Sequence, residues 1–182
     1  VLAATLSANY GIYGPAFELM EHLPREAGSE EYLDSEKYQL RFWDIERRDS
    51  LRPLIARVNR IRRDNPAFHA NDSLRFCPVG NDQLIAYVKS DPASENVVLT
   101  VVNLDPYHAQ SGWVDLDLDA LHIEHDQQYQ VHDLLSDQRY LWRGRHNFVM
   151  LEPQHAPAHI FLLRRQHAEF LPLPLDLASA PS

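Results

Sequence analysis

Lys37 and Tyr38 stand side by side behind the acids Glu30, Glu31, Asp34 and Glu36. A lysine offers three N–H donors to sugar hydroxyls or a phosphate, and a tyrosine offers a stacking face with a hydroxyl tip. Carboxylates of this kind work in pairs in retaining glycosidases, where they flank the scissile bond about 5 Å apart. Four of them crowded into one loop read instead as a solvated charge run, and no catalytic residue is assigned in this chain. Taken alone, Lys37 and Tyr38 read as an exposed lysine beside a partly buried tyrosine.

Upstream, Tyr10-Gly11-Ile12-Tyr13-Gly14-Pro15 breaks the apolar run Leu2 to Leu6 with two glycines free to take positive φ and a φ-locked proline. Leu2 to Leu6 is expected to be a short buried strand. In an α/β barrel, the loop at the carboxyl end of a strand carries ligand contacts. Tyr10 and Tyr13 are therefore candidates to line a cleft, with Glu18 orienting a neighbouring group. A packed aromatic turn accounts for the same residues.

The elements that must position these groups change character along the chain. Ala16 to His22 fits one or two helical turns closed by Leu23-Pro24. Arg25 to Tyr38 is a long loop whose aromatic residues favour order. Leu51, Leu54, Ile55, Val58 and Ile61 follow the spacing of an amphipathic helix, with Asp49 or Ser50 as N-cap and Asn65-Pro66 as a stop. Its other face carries Arg52, Arg57, Arg60, Arg62 and Arg63, expected to be solvated.

Beyond Leu74 the period shortens. Eight strands are expected: Leu74 to Val79, Leu84 to Lys89, Val97 to Asn103, Trp113 to Leu116, Tyr129 to Leu135, Arg139 to Trp142, Phe148 to Leu151 and His159 to Leu163, with turn residues between them. Such a series predicts an antiparallel β-sandwich. The Leu-Pro alternation from Leu171 onward suits a loosely ordered tail.

Other constellations carry less chemistry. His122 and His125 lie three apart, but no third ligand of suitable spacing follows, so no metal site is expected. Cys77 falls in a strand-like run, where a thiol acts as a small apolar residue. No Gly-x-Ser-x-Gly elbow or P-loop occurs. Tyr107, Trp113, Tyr140 and Trp142 would suit a sugar-stacking platform if exposed, although aromatic residues on strands are more often core.

Composition bounds the classes. An apolar fraction of 45% supports a real core, and seventeen basic against twenty-six acidic side chains give a charge of −9. That balance argues against a nucleic-acid partner, which needs concentrated Lys and Arg. A single cysteine cannot form an internal disulfide and suits a reducing compartment. No apolar run approaches the roughly 20 residues of a membrane span, and no signal peptide is visible. The chain opens on Val1 directly into an apolar segment and reads as part of a longer protein.

Three segments in order, LAATLSANYGIYGPAFE, GSEEYLDSEKYQLRFWD and LIARVNRIRR (Leu54 to Arg63), resemble the maltosyltransferases that extend α-1,4-glucans from α-maltose 1-phosphate, a branch of the α-amylase superfamily. The resemblance covers the whole chain and is strongest from Leu2 to Pro66. It implies an α/β plus all-β fold: residues 1–70 as the end of a (β/α)8 barrel (last strand, loop and helix), 71–168 as a C-terminal antiparallel β-sandwich, and 169–182 as a flexible tail. The catalytic carboxylates would lie upstream. Lys37 and Tyr38 match the family pair that contacts the maltosyl unit of the donor. Also implied are α-maltose 1-phosphate and an α-1,4-glucan acceptor as substrates, no cofactor, a cytoplasmic location and a homodimeric intact enzyme. A trehalose synthase, an α-glucan hydrolase, or a non-catalytic carbohydrate-binding β-domain would share much of this pattern.

Overall fold

The computed structural model describes residues 1–35 and 40–165. They form two compact units, one of Val1–Arg75 with Lys89–Asn96 and one of Phe76–Val88 with the chain from Val97 on. The expected tail at 169–182 lies outside the described residues.

The first unit is helical and loop-rich. Leu2–Leu6 is a short helix, α1, not the expected strand. The reason is local: Leu and Ala are good helix formers, and Thr5 satisfies its hydroxyl by donating to the Val1 carbonyl at 3.1 Å. Helix α2 spans Gly14–Glu18, earlier than the expected Ala16 to His22. Pro15 sits in its first turn, where a missing N–H costs nothing, and Met20, at φ 57, ends the coil.

Helix α3, Arg52–Asp64, follows the expected apolar spacing and buries Val58 and Ile61. Leu51 is the capping residue, while the Ser50 hydroxyl accepts the Arg52 N–H at 3.1 Å. Asn65 stops the helix as expected and donates its side-chain amide to the Ile61 carbonyl at 2.8 Å. A 3-10 turn, Pro66–Phe68, follows and buries Phe68 completely.

Eight strands, most of their residues in the second unit and each overlapping an expected one, follow: β1 Arg75–Cys77, β2 Leu84–Asp91, β3 Asn96–Asn103, β4 Gln110–Asp115, β5 Gln128–Asp133, β6 Arg139–Arg143, β7 His146–Leu151 and β8 Ala158–Arg165. Six make one sheet in the order β1-β2-β3-β8-β5-β6, and β4 pairs with β7 in another. Leu99 faces Phe161 across β3 and β8, Val131 faces Leu163 across β5 and β8, and Trp113 faces Phe148 across β4 and β7.

Both sheets bury one apolar core. Leu99, Val101, Val131 and Phe161 from the larger sheet join Val114, Val149 and Leu151 from the smaller. Alternation along β7, with Asn147, Val149 and Leu151 buried and their neighbours exposed, is the period-2 signature that marked it in the sequence. The turn after β3 is locked by Asp105, which accepts the N–H groups of Tyr107 and His108 at 2.8 and 3.2 Å. The Tyr107 N–H foremost holds its carboxyl down to about 2, helped by the His108 and Gln110 side chains. Cys77 is half-buried, and burial, with Asp115 and Asp117 nearby, pushes its thiol up to about 11. It is no nucleophile near neutral pH.

Candidate functional site

Lys37 and Tyr38 lie outside the described residues, as does Glu36. The residues expected to stand near them divide into two groups. Tyr10 is half-buried and committed to α3: its hydroxyl donates to the Asn59 side-chain carbonyl, and the Arg62 guanidinium lies over its ring at 4.9 Å. Arg62 also donates to the carbonyls of Ala4, Ser7 (3.0 Å) and Ala8 (2.6 Å). This corrects the expectation that the arginine face of α3 is solvated throughout. Arg62 is a clamp on the segment leading to Tyr10 and Tyr13.

Tyr13 is 63% exposed and begins an aromatic row. Its ring meets Tyr32 at 6.1 Å, and Tyr32 meets Trp43 edge-on at 6.5 Å. Arg41 caps the row, 4.3 Å from the Trp43 ring centroid and 5.7 Å from that of Tyr32, and pairs with Glu21 at 3.0 Å. Tyr32, Arg41 and Trp43 were not singled out from the sequence, although the aromatic and arginine alternation of Arg41-Phe42-Trp43 was there to be read. Such a row offers flat apolar faces and a fixed cation, a combination suited to sugar rings.

Glu18 enters through its main chain. Its carbonyl accepts the Leu51 N–H at 2.8 Å and the Ser50 hydroxyl at 3.4 Å, tying α2 to the start of α3. Among the loop acids, Glu31 pairs with Arg25 at 3.2 Å and accepts from Ser35, while Glu30 and Asp34 are exposed. His122 sits in a left-handed turn at φ 53, and His125 pairs with Asp119 at 2.9 Å.

The second unit contains an open cleft of about 210 Å³, lined by Tyr140 and Trp142 of β6, Phe148, Val149 and Met150 of β7, and His159 and Phe161 of β8. Phe161 stands nearly perpendicular to Tyr140 (6.1 Å) and edge-on to Trp142 (5.3 Å), while His159 stacks on it at 4.8 Å. His159 is held through Nδ1 by the buried carboxylate of Asp133 at 2.9 Å. Burial alone would raise the Asp133 pKa, but the hydrogen bonds from His159 and Ser136, the His159 charge and the Leu135 N–H outweigh it and leave the pKa lowered. Of the four aromatic residues read as a platform, Tyr140 and Trp142 meet here. Trp113 lies against Phe148 at 5.5 Å, and Tyr107 pairs with His108.

Among the described residues, no helix is long and apolar enough to cross a membrane.

Comparison with known proteins places these observations. The family "GLGE, C-terminal" matches residues 76–163. The chain is 47% identical over 167 residues to an "Alpha-1,4-glucan:maltose-1-phosphate maltosyltransferase" of Chlorobaculum tepidum, an alignment covering 88% of this chain and 25% of that protein. A protein of the same name from Corynebacterium glutamicum is 50% identical over 166 residues, 89% of this chain and 24% of its own length. The chain thus spans about a quarter of the length of the curated relatives it matches. Among solved structures, an α-amylase from Geobacillus thermoleovorans complexed with acarbose superposes with a TM-score of 0.51 at 12% identity, covering 70% of this chain and 26% of that one. At that identity the likeness is one of fold.

Proposed function

We propose that this chain, whose residues 76–163 match the GLGE C-terminal family, is the C-terminal quarter of a longer maltosyltransferase. The intact enzyme transfers a maltosyl group from α-maltose 1-phosphate to the non-reducing end of an α-1,4-glucan, with retention. Two displacements through a covalent glycosyl-enzyme account for the retention. The reacting carboxylates belong to the part of the enzyme preceding this chain. The single observation that carries the reading is the 47% identity held over 167 residues to a relative with that name.

Within such an enzyme the helices of the first unit and the loop between α2 and α3 form the end of the (β/α)8 barrel, and the second unit is the C-terminal β-sandwich. Supporting this, the first unit leaves Phe42 99% and Leu40 95% exposed, apolar surface of the kind that a neighbouring part of a protein covers. Lys37 and Tyr38 contact the maltosyl unit of the donor. Tyr13, exposed at the head of the aromatic row, borders the same cleft, and Tyr10, bonded to Asn59 of α3, and Glu18, at the end of α2, hold its floor in place. We place the intact enzyme in the cytoplasm, in keeping with an acidic chain that has one cysteine, and take it as a homodimer on the family resemblance alone. It needs no cofactor, since the phosphate of the donor is itself the leaving group.

Binding remote sugar groups accelerates the reaction when it aligns the anomeric carbon for attack. In the full-length enzyme Lys37→Ala is therefore expected to lower kcat/KM for α-maltose 1-phosphate about 10- to 100-fold, the equivalent of one charge-assisted hydrogen bond. Wild-type kinetics for this variant would contradict the donor role. A trehalose synthase or an α-glucan hydrolase would differ in product: neither couples phosphate release to glucan lengthening.

A further inference from the structure

We propose that the cleft between β6, β7 and β8 binds one glucose unit of an α-1,4-glucan chain, through Tyr140, Trp142 and Phe148 as apolar walls over the buried Phe161, and His159 as the hydrogen-bonding anchor. The identity of the sugar rests on the maltosyltransferase reading. The presence of a sugar-ring site rests on the lining alone.

Size comes first. At about 210 Å³ the cleft is smaller than the roughly 300–1,000 Å³ of pockets that enclose drug-sized ligands. It has room for one six-membered ring, with the neighbouring units of a chain outside. Its mouth is open along β7, where Phe148 is 51% and Met150 56% exposed, so a polymer can lie across it.

Lining chemistry comes second. A pyranose presents C–H groups on its faces and hydroxyls around its edge, so it wants aromatic walls with a few oriented polar atoms. Trp142 and Tyr140 both meet Phe161 at steep angles, 66° and 87°, which gives the cleft walls in more than one plane. Trp113, 5.5 Å from Phe148 with 58% of its surface exposed, continues the aromatic row for a second unit.

The polar anchor is the third element. Asp133, 1% exposed, takes the His159 Nδ1 at 2.9 Å and is itself held by the Ser136 hydroxyl at 2.6 Å. Parallel stacking on Phe161 fixes the imidazole plane. With Nδ1 engaged, Nε2 has no hydrogen-bond partner among the described residues. It is the nitrogen available to exchange a hydrogen bond with a sugar hydroxyl.

Affinity electrophoresis of the full-length protein through gels containing amylose, without donor, tests the site. The variant is Tyr140→Ala combined with Phe148→Ser, two side chains exposed enough (37% and 51%) to be truncated without opening the core. The wild type should be retarded, and the double variant should bind amylose about tenfold more weakly at an unchanged Tm. Equal retardation of both proteins, or no retardation of the wild type, would overturn the proposal. So would a fall in Tm with no change in amylose affinity, which would mark the cleft as a seat for the rest of the polypeptide. Absence of phosphate release from α-maltose 1-phosphate in the same preparation would defeat the maltosyltransferase reading while leaving the retardation result to decide the cleft.

Discussion

Replacing Asp133 with alanine is expected to destabilise the β-rich unit by about 3 kcal/mol, the largest effect of any single substitution considered for this chain. Asp133 ends β5 with 1% of its surface exposed. Its carboxylate accepts from His159 Nδ1 at 2.9 Å, Ser136 Oγ at 2.6 Å, and the N–H groups of Leu135 at 3.1 Å and Ile160 at 3.4 Å. These bonds join the β5–β6 turn to β8. Alanine removes the acceptor and leaves the buried Ile160 N–H and the half-buried His159 and Leu135 donors without it, at a desolvation cost for each that water does not reach. The exposed Arg47–Asp49 pair, although shorter at 2.5 Å, contributes little, because water screens it.

The same carboxylate sets an acid limit. Its folded pKa lies below the ordinary carboxylate value, because the donors around it overcome the opposing effect of burial. A group with a depressed folded pKa contributes its stability fully above the unfolded value, about 3.9 for aspartate. That contribution is lost as the pH falls from there through the folded pKa. Urea midpoints should therefore separate wild type from Asp133→Ala most at pH 7, and the gap should narrow as the pH drops below 4. A gap that stays constant with pH would contradict this account.

Arg62→Ala is expected to cost about 2–3 kcal/mol in the first unit, since a charged donor to a backbone carbonyl is worth more than a neutral one. Helix α1 is five residues long, and the last four carbonyls of any helix lack an internal partner. The Arg62 fork supplies one of those donors, to Ala4, and also donates to the carbonyls of Ser7 and Ala8 just past the helix. It places a cation at a helix C-terminus, where the backbone dipole favours one. Lysine cannot present a planar fork, so Arg62→Lys should recover little. Arg60, exposed on the same helix, is the control: Arg60→Ala should change stability by less than about 0.5 kcal/mol. Hydrogen exchange should rise over Leu2 to Tyr10 in Arg62→Ala. Unchanged protection there would show that the clamp is dispensable.

How much of this was legible depended on the range of the interaction. The eight strands were, because alternation and turn residues are local, and α3 was, because four apolar positions repeat on one face. Leu2 to Leu6 was misread because five residues are too few to separate the periods of helix and strand, and the propensity of Leu and Ala then decided it. The clamp could not be read, since Arg62 acts on residues more than fifty positions away, and in the sequence it resembles its solvated neighbours. Tyr140 and Trp142 could be named as stacking residues. Their partners could not, because β5 separates β6 from β8 and β7 belongs to the other sheet. The donor-binding role proposed for Lys37 and Tyr38 rests on resemblance alone, as a lysine beside a tyrosine has no distinctive spacing.

Phosphate release from α-maltose 1-phosphate, measured with the full-length protein beside residues 1–182 alone and with and without an α-1,4-glucan acceptor, tests the central claim most directly. The account predicts that the full-length protein releases phosphate in step with glucan lengthening by maltosyl units, and that residues 1–182 alone release none. No release by the full-length protein in the presence of acceptor would contradict it, and would withdraw the donor-binding role from Lys37 and Tyr38.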